Sequence, residues 1–476
     1  MKRNRQQSSC ALVPGWCRLI AILALVGCGT SGAVSESAEP ALFVPKSQDR
    51  PQYPSTYQRR DYPPVAITNA TVMTAARDEL RSAAIVFRDG RIVSVGGGIP
   101  IPDDAEVIDG TGKFVTPGLI DTHSHVGVYA APGTAAESDG NEAVDPNTAH
   151  VWAEHSVWPQ DPQIPLAVAG GVTTAQILPG SANLIGGRSV TVKLIPARSV
   201  QEMKFPGAPH GLKIACGENP KRVYGSKGGP ATRMGNVAGY REAFAEAEKY
   251  RHDREKWLRD ESSTLPQRDF AKETLAEVLK GNIAVHNHCY RADEMVQMLD
   301  LAREFDFEIR SFHHAVEAYK IADRLAEAGV ASSIWADWWG FKEESMDGIP
   351  ENAALLTASG ARAIIHSDSG IGIQRLNQEA SKAYHAGLSA GIELTRDQVI
   401  RWITANPAWA LNIDEVTGTL EAGKMADVVV WNGDPFSVYS VAERVYSDGW
   451  LVYDIEDRNP AWRTDFEIAR EDEDEK

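Results

Sequence analysis

The 476-residue chain has few cysteines, no excess of positive charge and no long apolar run. Five cysteines are too few for a disulfide framework to stand in for a hydrophobic core. Lys and Arg number 48 against 65 Asp and Glu, a formal charge of −17. That balance argues against nucleic acid as a partner, since phosphate contacts need clustered cations. The most apolar stretch, Leu19 to Val26, is too short to cross a bilayer. Against these shortages, 43% hydrophobic and 24% charged residues describe an ordinary globular protein. The length calls for two or three compact units, or one large barrel with an accessory domain.

The two ends read differently from the body. Lys2, Arg3 and Arg5 precede the short apolar stretch, as in a signal peptide over residues 1–27. Leu25-Val26-Gly27-Cys28 resembles the bacterial lipobox, which implies export and a lipid anchor on Cys28. Residues 28–64, rich in Ser, Pro, Ala and Gln, are expected to form a tether to the membrane of a periplasmic or cell-envelope lipoprotein. The run Glu471-Asp472-Glu473-Asp474-Glu475 marks residues 459–476 as a solvated acidic tail. With Cys10 and Cys17 removed, only Cys216 and Cys289 remain in the body. They could pair if close in space, but they are read as single buried thiols.

Short alternating apolar runs with turn signals fill residues 65–116, for example Ala84-Ile85-Val86-Phe87 and Arg91-Ile92-Val93-Ser94-Val95 around Asp89-Gly90. The same style returns in residues 413–458, as in Asp427-Val428-Val429-Val430-Trp431. Between them, residues 117–412 alternate short apolar runs with amphipathic helices, the pattern of βα units. Expected helices include Arg291 to Phe305, Val316 to Ala328 capped by Gly329, and one opened by Thr395-Arg396-Asp397-Gln398. The expected fold is α/β: a (β/α)₈ TIM barrel with a β-sandwich built from both terminal segments.

Seven of the twelve histidines fall in four clusters at the ends of apolar runs: His123 and His125, His286 and His288, His313 and His314, and His366 with Asp368. Residues two apart on a strand face the same side, so a His-x-His pair can hold one ion. Barrel strands end at one face, which would gather the clusters around a shared divalent metal. Lys213 and Glu218, in Gly211-Leu212-Lys213-Ile214-Ala215 and Gly217-Glu218-Asn219-Pro220, are alternative sources of a further ligand. Arg188 sits where a loop could bring it to a substrate carboxylate, or leave it to solvent. Trp335, Trp338 and Trp339 follow the expected seventh strand as either a stacking wall or core packing.

These motifs resemble the amidohydrolase superfamily. Val115-Thr116-Pro117-Gly118-Leu119-Ile120-Asp121-Thr122-His123-Ser124-His125 looks like the segment that opens its barrel. Gly171-Val172-Thr173-Thr174, His366-Ser367-Asp368-Ser369 and Gly418 to Asp427 look like its second strand, eighth strand and return to the sandwich. The nearest branch is the imidazolonepropionase-like hydrolases. The resemblance implies one or two divalent ions, Zn²⁺ first, on His123, His125, His286, His314 and Asp368. It also implies a carboxylated Lys213, with Glu218 or a single-metal site as alternatives. His288 would then contact the substrate and act in catalysis by stabilising the oxyanion, and His366 would assist substrate binding or serve as a hydrogen-bonded structural residue; the roles of His286 and His288 are open to exchange. His314 is preferred over His313, which is expected to point the other way.

The implied reaction is hydrolysis of a C–N bond in an amide, peptide or cyclic amide by a metal-activated hydroxide, with Asp368 shuttling the proton. The alternatives are an amino-sugar deacetylase and a non-catalytic surface binding protein. The expected partners are a small-molecule or peptide substrate, the membrane through the lipid anchor, and a second copy in a homo-oligomer.

Overall fold

A computed structural model describes residues 53–260, 262–456 and Trp462. The expected signal segment, Cys28, most of the tether, and the acidic tail apart from Trp462 lie outside the described residues. The end of the expected tether does not behave as one. Thr56 N–H donates to Gln201 O (2.9 Å), Ser55 Oγ donates to Lys204 O (2.8 Å), and the Tyr57 hydroxyl donates to Asp448. Tyr57 and Tyr62 pack against separate apolar cores, so aromatic anchoring overrides a sequence without periodicity.

The strands in chain order are β1 (Val65–Val72), β2 (Leu80–Arg88), β3 (Arg91–Gly96), β4 (Glu106–Asp109) and β5 (Phe114–Pro117). There follow β6 (Leu119–Ser124), β7 (Val172–Ile177), β8 (Ile185–Lys193), β9 (Gly211–Ala215), β10 (Ala284–Cys289), β11 (Ile309–His314), β12 (Ala331–Ile334) and β13 (Arg362–Ile365). The last three are β14 (Val428–Trp431), β15 (Ala442–Ser447) and β16 (Trp450–Asp454).

One sheet joins the two ends of the chain in the order β16-β15-β14-β5-β1-β2-β3, with β4 added to β1. The junction is antiparallel, Val429 opposite Thr116 and Val430 opposite Val115. The alternating residues Val65, Ile67, Ile85, Phe87, Val428 and Val430 fill its own core. Asp89 and Gly90 both take positive φ (51° and 74°), as a tight hairpin between β2 and β3 requires.

The second sheet runs β6 to β13 in sequence order. Strands β6, β7, β9, β10 and β12 are buried along their whole length, as expected when helices cover the outside of a mainly parallel sheet. The expected all-parallel barrel needs one correction: β8 is antiparallel to both β7 and β9. Residues 178–184 between β7 and β8 are too few for a parallel crossover, which takes a dozen or more. The ring is nearly closed. Trp402 and Ile403 bridge its two ends, Ile365 N–H donating to Trp402 O (3.0 Å) and Ile120 N–H to Ile403 O (2.9 Å).

The expected helices form over Ala292–Phe305 and Arg396–Arg401, the second with the Thr395/Gln398 capping box. The expected helix from Val316 is interrupted: a 3₁₀ turn Ala318–Ile321 precedes Ala322–Ala328, and Gly329 caps it in the left-handed region. Two buried carboxylates, Asp427 and Asp448, clamp Lys193 of β8 at 3.1 and 3.2 Å and so bind the ring to the terminal sheet.

The reading of Cys216 and Cys289 as single thiols is also corrected. They form a disulfide across the ends of β9 and β10, Cα atoms 5.2 Å apart. Cys216 follows β9 and Cys289 ends β10, and parallel pairing places the two sulfurs together although 73 residues separate them. Cys216→Ser is expected to lose about 2–4 kcal/mol of stability, because the unfolded chain regains the freedom of that loop. Thermal unfolding with and without reductant measures it; an unchanged transition contradicts the disulfide.

Candidate active site

Parallel register brings the histidine clusters together. His286 lies opposite Lys213, His288 opposite His313, and Cys289 opposite His314. The final turn is set from the other end of the ring. Asp368 N–H donates to His123 O (2.9 Å), placing the Asp368 carboxylate 3.2 Å from His125 Nε2 and 3.6 Å from His123 Nε2. Asp368 reaches this position at φ 50°, a left-handed conformation a non-glycine residue adopts at some cost. Asp121, two residues before His123 on β6, supports the turn. It accepts His123 N–H (3.0 Å), Ser367 N–H (3.2 Å) and the Ser367 hydroxyl. Burial pushes Asp121 up to about 6 in spite of these bonds. Its period-two spacing with His123 and His125 is the sequence signal that points to it.

Hydrogen bonds at one ring nitrogen aim the other. His125 Nδ1 donates to Leu178 O (2.8 Å), which leaves Nε2 facing Asp368. His123 Nδ1 lies 2.9 Å from His313 Nδ1, and His123 Nε2 lies 3.2 Å from Lys213 Nζ. The expectation that His313 points the other way is thus corrected. His313 is fully buried inside the ring, with its Nε2 3.0 Å from His286 Nδ1. Register alone puts His313 inside, opposite inward-facing His288, and the positive φ of His314 and Ala315 (70° and 33°) turns His314 to the same side. His314 Nδ1 comes within 3.9 Å of Asp368.

Two groups have ligand atoms mutually within 4.8 Å: His123, His314 and His366, and His123, His125 and Asp368. His288 stands beside them, its ring 4.4 Å from that of His314 and its Nε2 3.4 Å from Asn219 Nδ2. His286 lies deeper, with His313. Burial holds His123, His288, His313 and His314 well below their usual range, and His286 and His366 down to about 3, so all six are neutral. Burial also lowers the Lys213 amine to about 7; nearby Asp368 raises it only in part. Burial alone would raise Asp368, but the hydrogen bond and charge of His125 bring it below its usual value.

Two candidates are held elsewhere. Glu218 opens the helix Glu218–Tyr224 and faces Lys342 Nζ at 3.4 Å. Arg188, on β8, donates to Thr274 Oγ1 (2.9 Å) and lies over the Trp152 ring.

A divalent ion fits these residues. Buried ring nitrogens of His314 (Nδ1) and His366 (both) have no hydrogen-bond partner in the described structure, although such groups are normally satisfied. Neutral imidazoles and a carboxylate are the donor set of Zn²⁺ and similar ions.

A mainly parallel ring with imidazoles and a carboxylate gathered at its strand ends has the placement expected of an enzyme active site. The family model described as the amidohydrolase family matches residues 235–453. A solved amidohydrolase from Thermotoga maritima MSB8 is 36% identical, with a TM-score of 0.76, over 82% of this chain and 100% of its own. An amidohydrolase named tasK from Hapsidospora irregularis is 33% identical over 78% of this chain, which spans 40% of that protein's length. An imidazolonepropionase from Mesorhizobium japonicum is 25% identical over 78% of this chain and 90% of its own. The chain belongs to the amidohydrolase family, hydrolases that act on carbon–nitrogen bonds.

Proposed function

We propose that the protein is a metal-dependent amidohydrolase that cleaves the C–N bond of an amide, peptide or cyclic amide. The observation that carries this reading is the aim of His123 and His125: each has its Nδ1 engaged, and both Nε2 atoms face Asp368. His123, His125, His314, His366 and Asp368 would hold the ion, with Lys213 as a further ligand once its amine takes up CO₂. An amine lowered to about 7 is substantially unprotonated near neutral pH, as that reaction requires. When bound, a divalent ion such as Zn²⁺ lowers the pKa of water and polarises a carbonyl.

Asp368 accepts the proton of the attacking water and passes it to the leaving nitrogen. With Asn219 donating to His288 Nε2, the imidazole proton sits on Nδ1, free to donate to the developing oxyanion. The chain's export as a lipoprotein anchored at Cys28 belongs to the same proposal. It is supported by the basic N-terminus, the lipobox-like Leu25-Val26-Gly27-Cys28, and a disulfide suited to an oxidising compartment.

The test is a screen of dipeptides, N-acyl amino acids, cyclic imides and acetylated amino sugars, before and after chelation. Turnover of a C–N substrate that chelation abolishes and Zn²⁺ restores is the expected result; metal-loaded protein that turns over none of them overturns the reading. Lys213→Met is expected to lower the metal bound per chain, read by elemental analysis. Unchanged metal content removes Lys213 from the site.

A further inference from the structure

We infer that the site carries an apolar, ring-accepting subsite on its β11–β12 side, so that the group cleaved bears a large hydrophobic or aromatic side chain. This rests on the reading above and names the substrate class for it. A cavity of about 90 Å³ opens beside His314, between the loop after β12 and Val316, Ile349 and Pro350. That is several times the space one water needs. Its wall is a stack of rings. Trp335 lies parallel to His314 at 4.2 Å (23°), and Trp338 lies on Trp335 at 4.9 Å (6°).

The stack is fixed at its base and open at its top. Trp335 is buried and donates from Nε1 to Ser367 O (3.2 Å), on the turn that carries Asp368. Trp338, Trp339 and Phe341 are 38%, 62% and 54% exposed, a concentration of large apolar surface beside the candidate ligands. Such surface at a concave polar site marks ligand contact more often than chance exposure.

The polar groups of the wall decide the chemistry of the occupant. Asp337 is paired with Lys382 (2.8 Å). The Asn352 amide donates to Ala315 O and Val316 O (3.1 Å each), and its oxygen accepts Tyr319 N–H (3.1 Å). Trp339 Nε1 donates to Met346 O (2.8 Å). Asn352 and Trp339 are thus engaged within the fold and Asp337 shares its charge with Lys382, so the wall favours an apolar occupant over a sugar or an ammonium group. His314, a candidate metal ligand, lies where cavity and candidate metal centre meet, so the polar end of an occupant would meet that centre. A ligand with its carbonyl at that end and a ring or branched side chain in the cavity satisfies both halves.

The test is binding to the metal-loaded protein, read by tryptophan fluorescence and calorimetry, so it needs no turnover. The probes are N-acetyl-phenylalanine, N-acetyl-leucine and N-acetyl-alanine. The first two are expected to bind about 10- to 100-fold tighter than the third, from the apolar area they bury. In Trp338→Ala that preference is expected to shrink to a few-fold, with thermal stability retained because the ring is partly exposed. Equal binding of the three probes overturns the subsite, and so does a preference that survives Trp338→Ala. Hydrolysis of dipeptides or N-acyl amino acids is scored separately. Its absence counts against the amidohydrolase reading and leaves the binding result to stand or fall alone.

Discussion

Asp368→Asn is expected to lower kcat by about 10²–10⁴-fold, the usual contribution of a positioned acid–base group, while metal content stays close to that of the parent. The substitution is nearly isosteric. The backbone bond from Asp368 N–H to His123 O does not involve the side chain, so the turn and its φ of 50° should persist. One amide oxygen can still face His125 and His123, at the 3.2 and 3.6 Å positions. What disappears is the capacity to take a proton from water and return it to the leaving group. Steady-state kinetics with elemental analysis on the same preparation reads both quantities. Activity within a few-fold of the parent would remove Asp368 from proton transfer. Loss of metal and activity together would make it a ligand first.

Removing the cation at Lys193 is the second large effect. Lys193→Met is expected to cost about 3–5 kcal/mol, the usual consequence of stripping one partner from a buried ionic group. The ammonium is fully buried between Asp427 and Asp448. Burial alone would lower its pKa, but the two carboxylates more than offset this and hold it charged. Methionine fills the volume but leaves both acids facing each other in the interior. Thr417 Oγ1 (2.7 Å) and Asp448 N–H (3.0 Å), which donate to Asp427, are insufficient replacements. Chemical denaturation measures the loss. Adding Asp448→Asn to Lys193→Met should recover part of it, because one uncompensated charge is then removed. A single variant within 1 kcal/mol of the parent would show that solvent reaches the cluster.

The elements most easily read in advance were those governed by local chemistry. Asp89-Gly90 closes its hairpin because both residues accept positive φ. Thr395 and Gln398 cap their helix reciprocally, and the period-two runs of both termini lie in the shared sheet. The His-x-His pairs at strand ends were visible for the same reason: strand geometry sets their spacing. What could not be read depended on partners distant in the chain. β8 reverses because its link to β7 is short, a property of the whole ring's connectivity. Cys216 meets Cys289 through the β9–β10 register. His314 joins His313 inside because the backbone takes positive φ at the end of β11, contrary to the alternation that a regular strand would impose.

The sequence by itself determined the kinds of side chain available, their local spacing and the strands and caps those spacings favour, since all of these follow from sterics and hydrogen bonding over a few residues. Only the tertiary structure decided which nitrogen each imidazole offers and which thiols join. It alone put Lys213 beside His123 and Glu218 beside Lys342. Those outcomes depend on burial and on contacts between residues far apart in the chain, and neither exists until the ring is closed.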